Sequence, residues 1–198
     1  EIRLSLVGSE MCIRDRPAPV SATAVTLRLA RVDSAETRAC IAAGFGASTA
    51  FISLSPGLVC VFDSPTATGL THQEVGAAGM SAHQLWNAAA AQLVSRAQRE
   101  HGVEFLVRCP SAALACEELP RGFEVDGHSA PAAWWLAHPQ PFTLLHRHFE
   151  AVLRPETGLV YATRDGRELF VFDAHAEDVA RCLPGADVLS YSVGFPLL

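Results

Sequence analysis

The sequence contains no lysine, so all 15 of its basic residues are arginine. This absence excludes Schiff-base chemistry on a lysine amine, and it excludes a Walker-type phosphate loop, which needs a lysine to reach the phosphates. Runs of basic residues are also absent, and the formal net charge at pH 7 is −6. Nucleic-acid binding requires a positive surface, so we expect no nucleic-acid partner.

Cysteine pairs at the CxxC spacing are absent as well. The chain has six cysteines, of which Cys12 lies in a segment that we set aside below. The remaining five are an odd number, and most have apolar neighbours, which is typical of buried free thiols. The sequence therefore predicts a reducing, cytoplasmic location. The alternative is an exported protein with one or two disulfides.

One stretch without any charged residue, residues 39–62, is long enough to span a bilayer. It contains three glycines, a proline and several hydroxyl residues, and its second half has the pattern of a hairpin. We therefore expect no transmembrane helix and no membrane partner.

Residues 1–16 (EIRLSLVGSEMCIRDR) resemble the in-frame translation of a sequencing-library adapter of the kind that contaminates metagenomic gene predictions. We accordingly treat them as an artefactual, non-native segment. The alternative is a genuine charged tail. If the segment is foreign, Pro17 is not near a natural start, and the natural protein is expected to have a further N-terminal part. Residues 17–198 are then expected to form a single domain.

The clearest local signals lie in residues 71–102. Thr71 and Ser81 each begin a capping-box pattern, and together they predict two consecutive helices. The second helix is predicted to end at Gly102, in the left-handed conformation that glycine favours.

The remaining chain alternates short β-rich runs with helical patterns. Strands are predicted at residues 24–32, 50–54, 58–62, 103–109, 159–163, 168–172 and 188–193, and further helices at 33–43, 111–118 and 176–183. Residues 129–154 are a second helical region that Pro139 and Pro141 are predicted to break, with a new helix from about Pro141 to Leu153. Pro56-Gly57 and Asp165-Gly166 predict hairpin turns. Hairpins mixed with paired helices, without a strict βαβ alternation, predict the α+β class: a largely antiparallel sheet built from hairpins and covered on one side by helices.

Several of these features together resemble the YtpQ-like bacterial family over about residues 58–198. They are the first hairpin, the Thr-x-x-Glu helix, the Gly-Met-Ser link, the long helix with Trp86, and the later segment LVYATRDGRELFVFD. That family has no established activity. The resemblance therefore implies a cytoplasmic bacterial protein and carries no site residues over.

Residues 127–131 (GHSAP) approach the nucleophile elbow of a serine hydrolase, although the last position is proline instead of glycine. In that hypothesis Ser129 is the nucleophile, Asp165 or Asp173 is the acid, and His175 is the base. The simpler interpretation is that Ser129 caps the helix that follows.

The sequence predicts neither a metal site nor a cofactor. His138, His146 and His148 could suggest zinc, but His146 and His148 are two positions apart on a predicted helix and face different sides. No cysteine or carboxylate completes a zinc spacing. Residues 44–49 (GFGAST) have two glycines of a dinucleotide fingerprint but follow a predicted helix instead of a strand.

Trp134 and Trp135 are adjacent on a predicted helix, so their side chains diverge by about 100°. One ring can then face the core while the other meets a second surface. Tryptophan is enriched in binding hot spots, and the pair is therefore a candidate binding site. The alternative is that both rings are partly buried under the neighbouring proline-rich loop.

The function that these observations favour is a non-enzymatic module that binds another protein or itself. One alternative is a small serine hydrolase that uses Ser129, Asp173 and His175. Another is a subdomain of a longer, truncated protein.

Overall fold

The computed structural model describes residues 24–33, 47–114, 116, 118–127 and 130–198. The segment of residues 1–16 and the helix predicted after Asp33 lie outside these ranges, as do His128 and Ser129. Within the ranges, no helix combines the length and the apolar character that a membrane span needs.

A three-stranded antiparallel sheet comes first in the chain. Its strands are β1 (Thr26–Arg31), β2 (Phe51–Ser55) and β3 (Leu58–Asp63), in the order β1-β3-β2. Gly57 has a φ of +83°, as the predicted turn between β2 and β3 requires. Arg28 Nε donates to Asp63 Oδ2 at 2.6 Å across the β1–β3 pair. The antiparallel pairing of β2 with β3 confirms the predicted hairpin.

Two helices follow, α1 (His72–Ala77) and α2 (Ala82–Ala97), and both begin with a complete capping box. The Glu74 amide donates to Thr71 Oγ1 at 3.2 Å, and the Thr71 amide donates to the Glu74 carboxylate at 2.7 Å. Ser81 and Gln84 repeat this exchange at 3.2 and 2.9 Å. Side chains therefore satisfy orphan amides at both helix starts, as predicted.

The predicted end of α2 is wrong by five residues. The helix ends at Ala97, and its C-cap residue Gln98 is extended, not left-handed. The chain then forms a short ribbon from β4 (Gln98–Arg99) and β5 (Gly102–Val103). Gly102, with a φ of +123°, serves the turn of that ribbon.

Most of the next segment is less regular than predicted. It contains β6 (Leu106–Arg108), a 3₁₀ helix (Pro110–Ala112), β7 (Gly122–Asp126), a second 3₁₀ helix (Ala132–Ala137) and α3 (Pro139–Leu153). The helix predicted over 111–118 is replaced by the first 3₁₀ turn. Pro139 and Pro141 do not break a helix, because both lie in the first turn of α3, where a missing amide costs nothing.

The chain ends with β8 (Leu159–Thr163), β9 (Leu169–Asp173), α4 (Ala176–Cys182), β10 (Asp187–Ser192) and β11 (Phe195–Leu197). These strands join β6 and β7 in a six-stranded antiparallel sheet with the order β11-β10-β8-β9-β7-β6. The Asp165-Gly166 hairpin is confirmed, whereas β11 was not predicted. The α+β class is confirmed.

Both faces of the central strands β8 and β9 are buried, so the prediction of helices on one side only is wrong. In β8, Leu159 and Tyr161 face the main core, while Val160 and Ala162 face a second cluster beneath α4. Residues of β9 divide in the same way. Strands that are apolar on both faces need cover on both, and α3 with the second 3₁₀ helix provides one cover while α4 provides the other.

The capping boxes make a direct stability prediction. We expect Ser81→Ala to lower the free energy of unfolding by about 1 kcal/mol, because the Gln84 amide loses its acceptor. Urea denaturation would measure the change. Ser95→Ala, at an exposed interior position of α2, is the matched control and should not destabilise the protein. Equal effects of the two substitutions would contradict the role of the cap.

Candidate functional site

The edge strand β6 exposes apolar side chains on both of its faces. Leu106 is 53% exposed and Val107 is 45% exposed, and successive residues of a strand point to opposite faces. Among the described residues, β6 pairs only with β7, so β6 is the outermost strand on this side of the sheet. An uncovered edge of this kind presents backbone N–H and C=O groups to another strand. We refer to residues 104–108 on this side as the β6 edge.

An ion pair holds β6 in place. Arg108 Nη2 donates to Glu124 Oε1 at 2.6 Å, and the two residues are register partners in the β6–β7 pair. The Glu124 side chain is only 10% exposed, whereas that of Arg108 is 63% exposed. Removing the cation would leave a largely buried carboxylate unpaired. The last residue of β6 is therefore fixed to the sheet while Leu106 and Val107 stay exposed.

The other edge strand of the sheet, β11, is not open to a further strand. There, β11 contacts β2 of the three-stranded sheet, and Leu198 lies close to the turn at Gly57. Of the two edges of the six-stranded sheet, only that of β6 thus lacks a neighbouring strand among the described residues.

One ring of the tryptophan pair faces the core, and the other is only partly buried, but neither forms a free binding surface. Trp135 is fully buried, and its ring lies 4.8 Å from that of Phe105, centroid to centroid. Trp134 is partly buried against Leu27 of β1 and Leu93 of α2. The second surface that Trp134 meets therefore belongs to the same domain. Trp135 has no exposed surface with which to anchor an interface.

Asp173 and His175 line an open cleft of about 840 Å³ beside α4. Asp173 accepts the amides of Glu156, Thr157 and Gly158 at 3.0, 2.9 and 3.3 Å. These hydrogen bonds, above all those from Glu156 and Thr157, hold the pKa of Asp173 below its ordinary value. The carboxylate oxygens of Asp173 stabilise the turn that precedes β8, so they are not positioned to orient an imidazole.

The positions next to Ser129 lie in a different cleft. Ser129 itself is outside the described residues, but Gly127 and Ala130 line a cleft of about 470 Å³ with Glu124. Gly127 follows the end of β7, and Asp173 ends β9, which is antiparallel to β7. Five residues of strand separate these ends by roughly 16 Å. The structure therefore does not bring Asp173 and His175 to the cleft beside Ser129.

The cleft beside α4 does contain a thiol, an imidazole and a carboxylate. We call it the α4 cleft, and its lining includes Cys116, Glu118, Asp173, His175, Arg181 and Cys182. Burial, and then the neighbouring Cys116 thiol, raise the pKa of the Cys182 thiol. In the part of the chain that the structure describes, no hydrogen bond links His175 to either thiol. A cysteine that serves as the nucleophile of an enzyme needs the opposite arrangement, a lowered pKa and an engaged base.

The three histidines considered for zinc lie in three separate environments. His146 Nδ1 lies 2.8 Å from the Tyr161 hydroxyl, and its ring stacks on Tyr191. The ring of His148 faces Phe105 instead. Among the described residues, no three histidine, cysteine or acidic side chains could hold a metal ion together.

His138 has a structural role that the sequence did not reveal. Its Nδ1 accepts the Gln140 amide at 3.1 Å and so caps α3, which leaves Nε2 to donate to Asn87 Oδ1 at 3.1 Å. The ring lies 4.2 Å from that of Trp86, centroid to centroid. Burial lowers the pKa of His138 to about 4, because the charged imidazolium is poorly solvated there.

Comparisons of the chain with protein-family models, curated proteins and solved structures found no match. The resemblance to the YtpQ-like family therefore stays a prediction.

Because of His138, we expect the free energy of unfolding to decrease in mild acid. The pKa of His138 is lower in the folded protein than in the unfolded chain, where histidine titrates near 6.5. The stabilising contribution of the neutral imidazole is therefore complete above pH 6.5 and is lost as the pH falls toward 4. We expect the difference in unfolding free energy between wild type and His138→Asn to narrow by about 2 kcal/mol from pH 7 to pH 5. Asparagine retains a capping oxygen.

Urea denaturation at several pH values would measure this difference. His101→Asn, at an exposed turn position, is the control and should keep the pH dependence of the wild type. A constant difference between wild type and His138→Asn would show that His138 is not buried in its neutral form.

Proposed function

We propose that the protein is a non-enzymatic module that associates with a second copy of itself through the β6 edge. The observation that carries this proposal is the exposure of Leu106 and Val107 on opposite faces of an edge strand. Strand addition would satisfy the free backbone groups and cover both side chains at once.

Charge complementarity favours a second copy as the occupant of the edge. In an antiparallel pair centred on Leu106, Leu106 lies opposite the same residue of the other chain. Glu104 then lies opposite Arg108, and twofold symmetry repeats this contact. Cross-strand pairs of opposite charge are stabilising, whereas like charges in the same positions are not. The segment is thus self-complementary in one register.

The proposed contact is small. The strand β6 has three residues, and pairing across residues 104–108 would bury less surface than a standard-sized interface. We therefore infer a weak, reversible dimer, not an obligate one. Phe105, which packs against the main core, would connect the new strand pair to the rest of the domain.

The absence of enzymatic activity is part of the proposal. Asp173 is committed to backbone amides, and Cys182 has a raised pKa. We also infer a reducing, cytoplasmic location. The thiols of Cys60, Cys109, Cys116 and Cys182 are all free, as a reducing compartment favours.

The first test replaces the residue on the proposed symmetry axis. Leu106→Lys would place two positive charges opposite each other, and we expect the association constant to fall at least about tenfold. Sedimentation equilibrium over micromolar to millimolar protein concentrations would measure it. The control is Leu144→Lys, an exposed leucine on α3, which should associate like the wild type. A wild type that stays monomeric at all concentrations would contradict the proposal.

A second test determines the register of the proposed strand pair. Leu106→Cys, in a background with Cys109→Ser, should form an intermolecular disulfide on mild oxidation, because directly opposed residues of an antiparallel pair meet the geometric requirement. Val107→Cys should not, since Val107 would face Phe105. Non-reducing electrophoresis separates the two outcomes. Equal cross-linking of both variants would contradict the register centred on Leu106.

A further inference from the structure

Two free cysteines that lie far apart in the sequence meet in the α4 cleft. Cys182 ends α4, and Cys116 lies between the first 3₁₀ helix and β7. Cys182 Sγ donates at 3.5 Å to the carbonyl oxygen of Glu118, which is two residues from Cys116 in the sequence. The two thiols line the same cleft, and the Cys116 thiol contributes to the raised pKa of Cys182. A disulfide forms where two cysteine Cα atoms can approach within about 7 Å of each other.

Solvent can reach both thiols. Each is partly exposed, and both line the α4 cleft, which is open to water. The other described cysteines differ in this respect. Cys60 is buried, and Cys109 is exposed but has Ser111 as its neighbour, with 3.0 Å between Sγ and Oγ. Of the four described cysteines, only Cys116 and Cys182 combine access to an oxidant with a second thiol that lines the same cleft.

We propose that Cys116 and Cys182 are a redox modification site that forms a reversible intramolecular disulfide with a low-molecular-weight disulfide as the oxidant. One thiolate attacks a sulfur atom of glutathione disulfide, which forms a mixed disulfide and releases one glutathione thiolate. The second cysteine, as its thiolate, attacks the protein-bound sulfur and releases the other. The two protein thiols lose two protons and two electrons, and one disulfide becomes two glutathione thiols.

Oxidation would tie the two walls of the α4 cleft together. Cys116 and Glu118 belong to one wall, and Cys182, at the end of α4, belongs to the other. In the reduced protein, α4 is a helix of seven residues, and its Val179 and its C-cap residue Leu183 belong to the smaller core cluster. A covalent link would restrain the motion of this short helix and close a long loop of chain.

The test is oxidation of the full chain in glutathione buffers of graded redox potential. Acid quenching, alkylation and peptide mapping would then identify the linked residues. We expect one dominant linked pair of peptides, Cys116 with Cys182, in a species that stays monomeric on non-reducing gels. The thermal midpoint of the oxidised protein should rise by roughly 5 °C or more.

Two variants and one control make the test specific. Cys116→Ser and Cys182→Ser should each lose the linked pair and carry a mixed disulfide on the remaining thiol. Cys109→Ser should oxidise like the wild type, because Cys109 is not part of the pair. Recovery of Cys116 and Cys182 in wild type only as separate mixed disulfides, or linked to other cysteines, would overturn the proposal. The linked pair can be mapped in wild type even if a serine variant fails to fold.

Discussion

Strands β8 and β9 have no polar face. Alternate side chains of each strand enter the main core, and the others enter the cluster beneath α4. Each Å² of apolar surface removed from water stabilises the fold by about 25 cal/mol, so both sides of this strand pair must be covered. The positions of α3, of the second 3₁₀ helix and of α4 follow from that requirement. The sheet extends outward from this centre until it reaches β11 on one side and β6 on the other, and only β6 lacks a neighbouring strand in the described ranges.

The polar side chains that are easiest to interpret as catalytic instead stabilise backbone turns. Asp173 accepts amides at the turn into β8, and Asp165 accepts the amides of Arg167 and Glu168 in the hairpin loop. Asp63 does the same for Gly69. A carboxylate that accepts backbone amides lowers the cost of turning the chain within a compact domain. Asp173 in one cleft and Asp165 in the other therefore have oxygens that are already engaged, which agrees with a module whose activity lies at its edge.

Local signals in the sequence predicted local structure well. The capping boxes at Thr71 and Ser81 and the turn at Asp165-Gly166 depend on residues only a few positions apart, and all are present. Features that depend on distant parts of the chain could not be predicted. The exposure of Leu106 depends on the sheet order, the burial of Trp135 on Phe105 and the surrounding core, and the position of Cys116 and Cys182 in one cleft on the packing of α4. The continuous apolar runs of β8 and β9 were the one available sign of two-sided burial.

Self-association through β6 predicts a local change in backbone dynamics, so amide hydrogen exchange measured at low and at high protein concentration tests it most directly. Amides on the free side of β6 should exchange more slowly at high concentration, because a second strand accepts their hydrogen bonds, while those of β11 should not change. Exchange rates in β6 that do not depend on concentration, up to the solubility limit, would contradict the account.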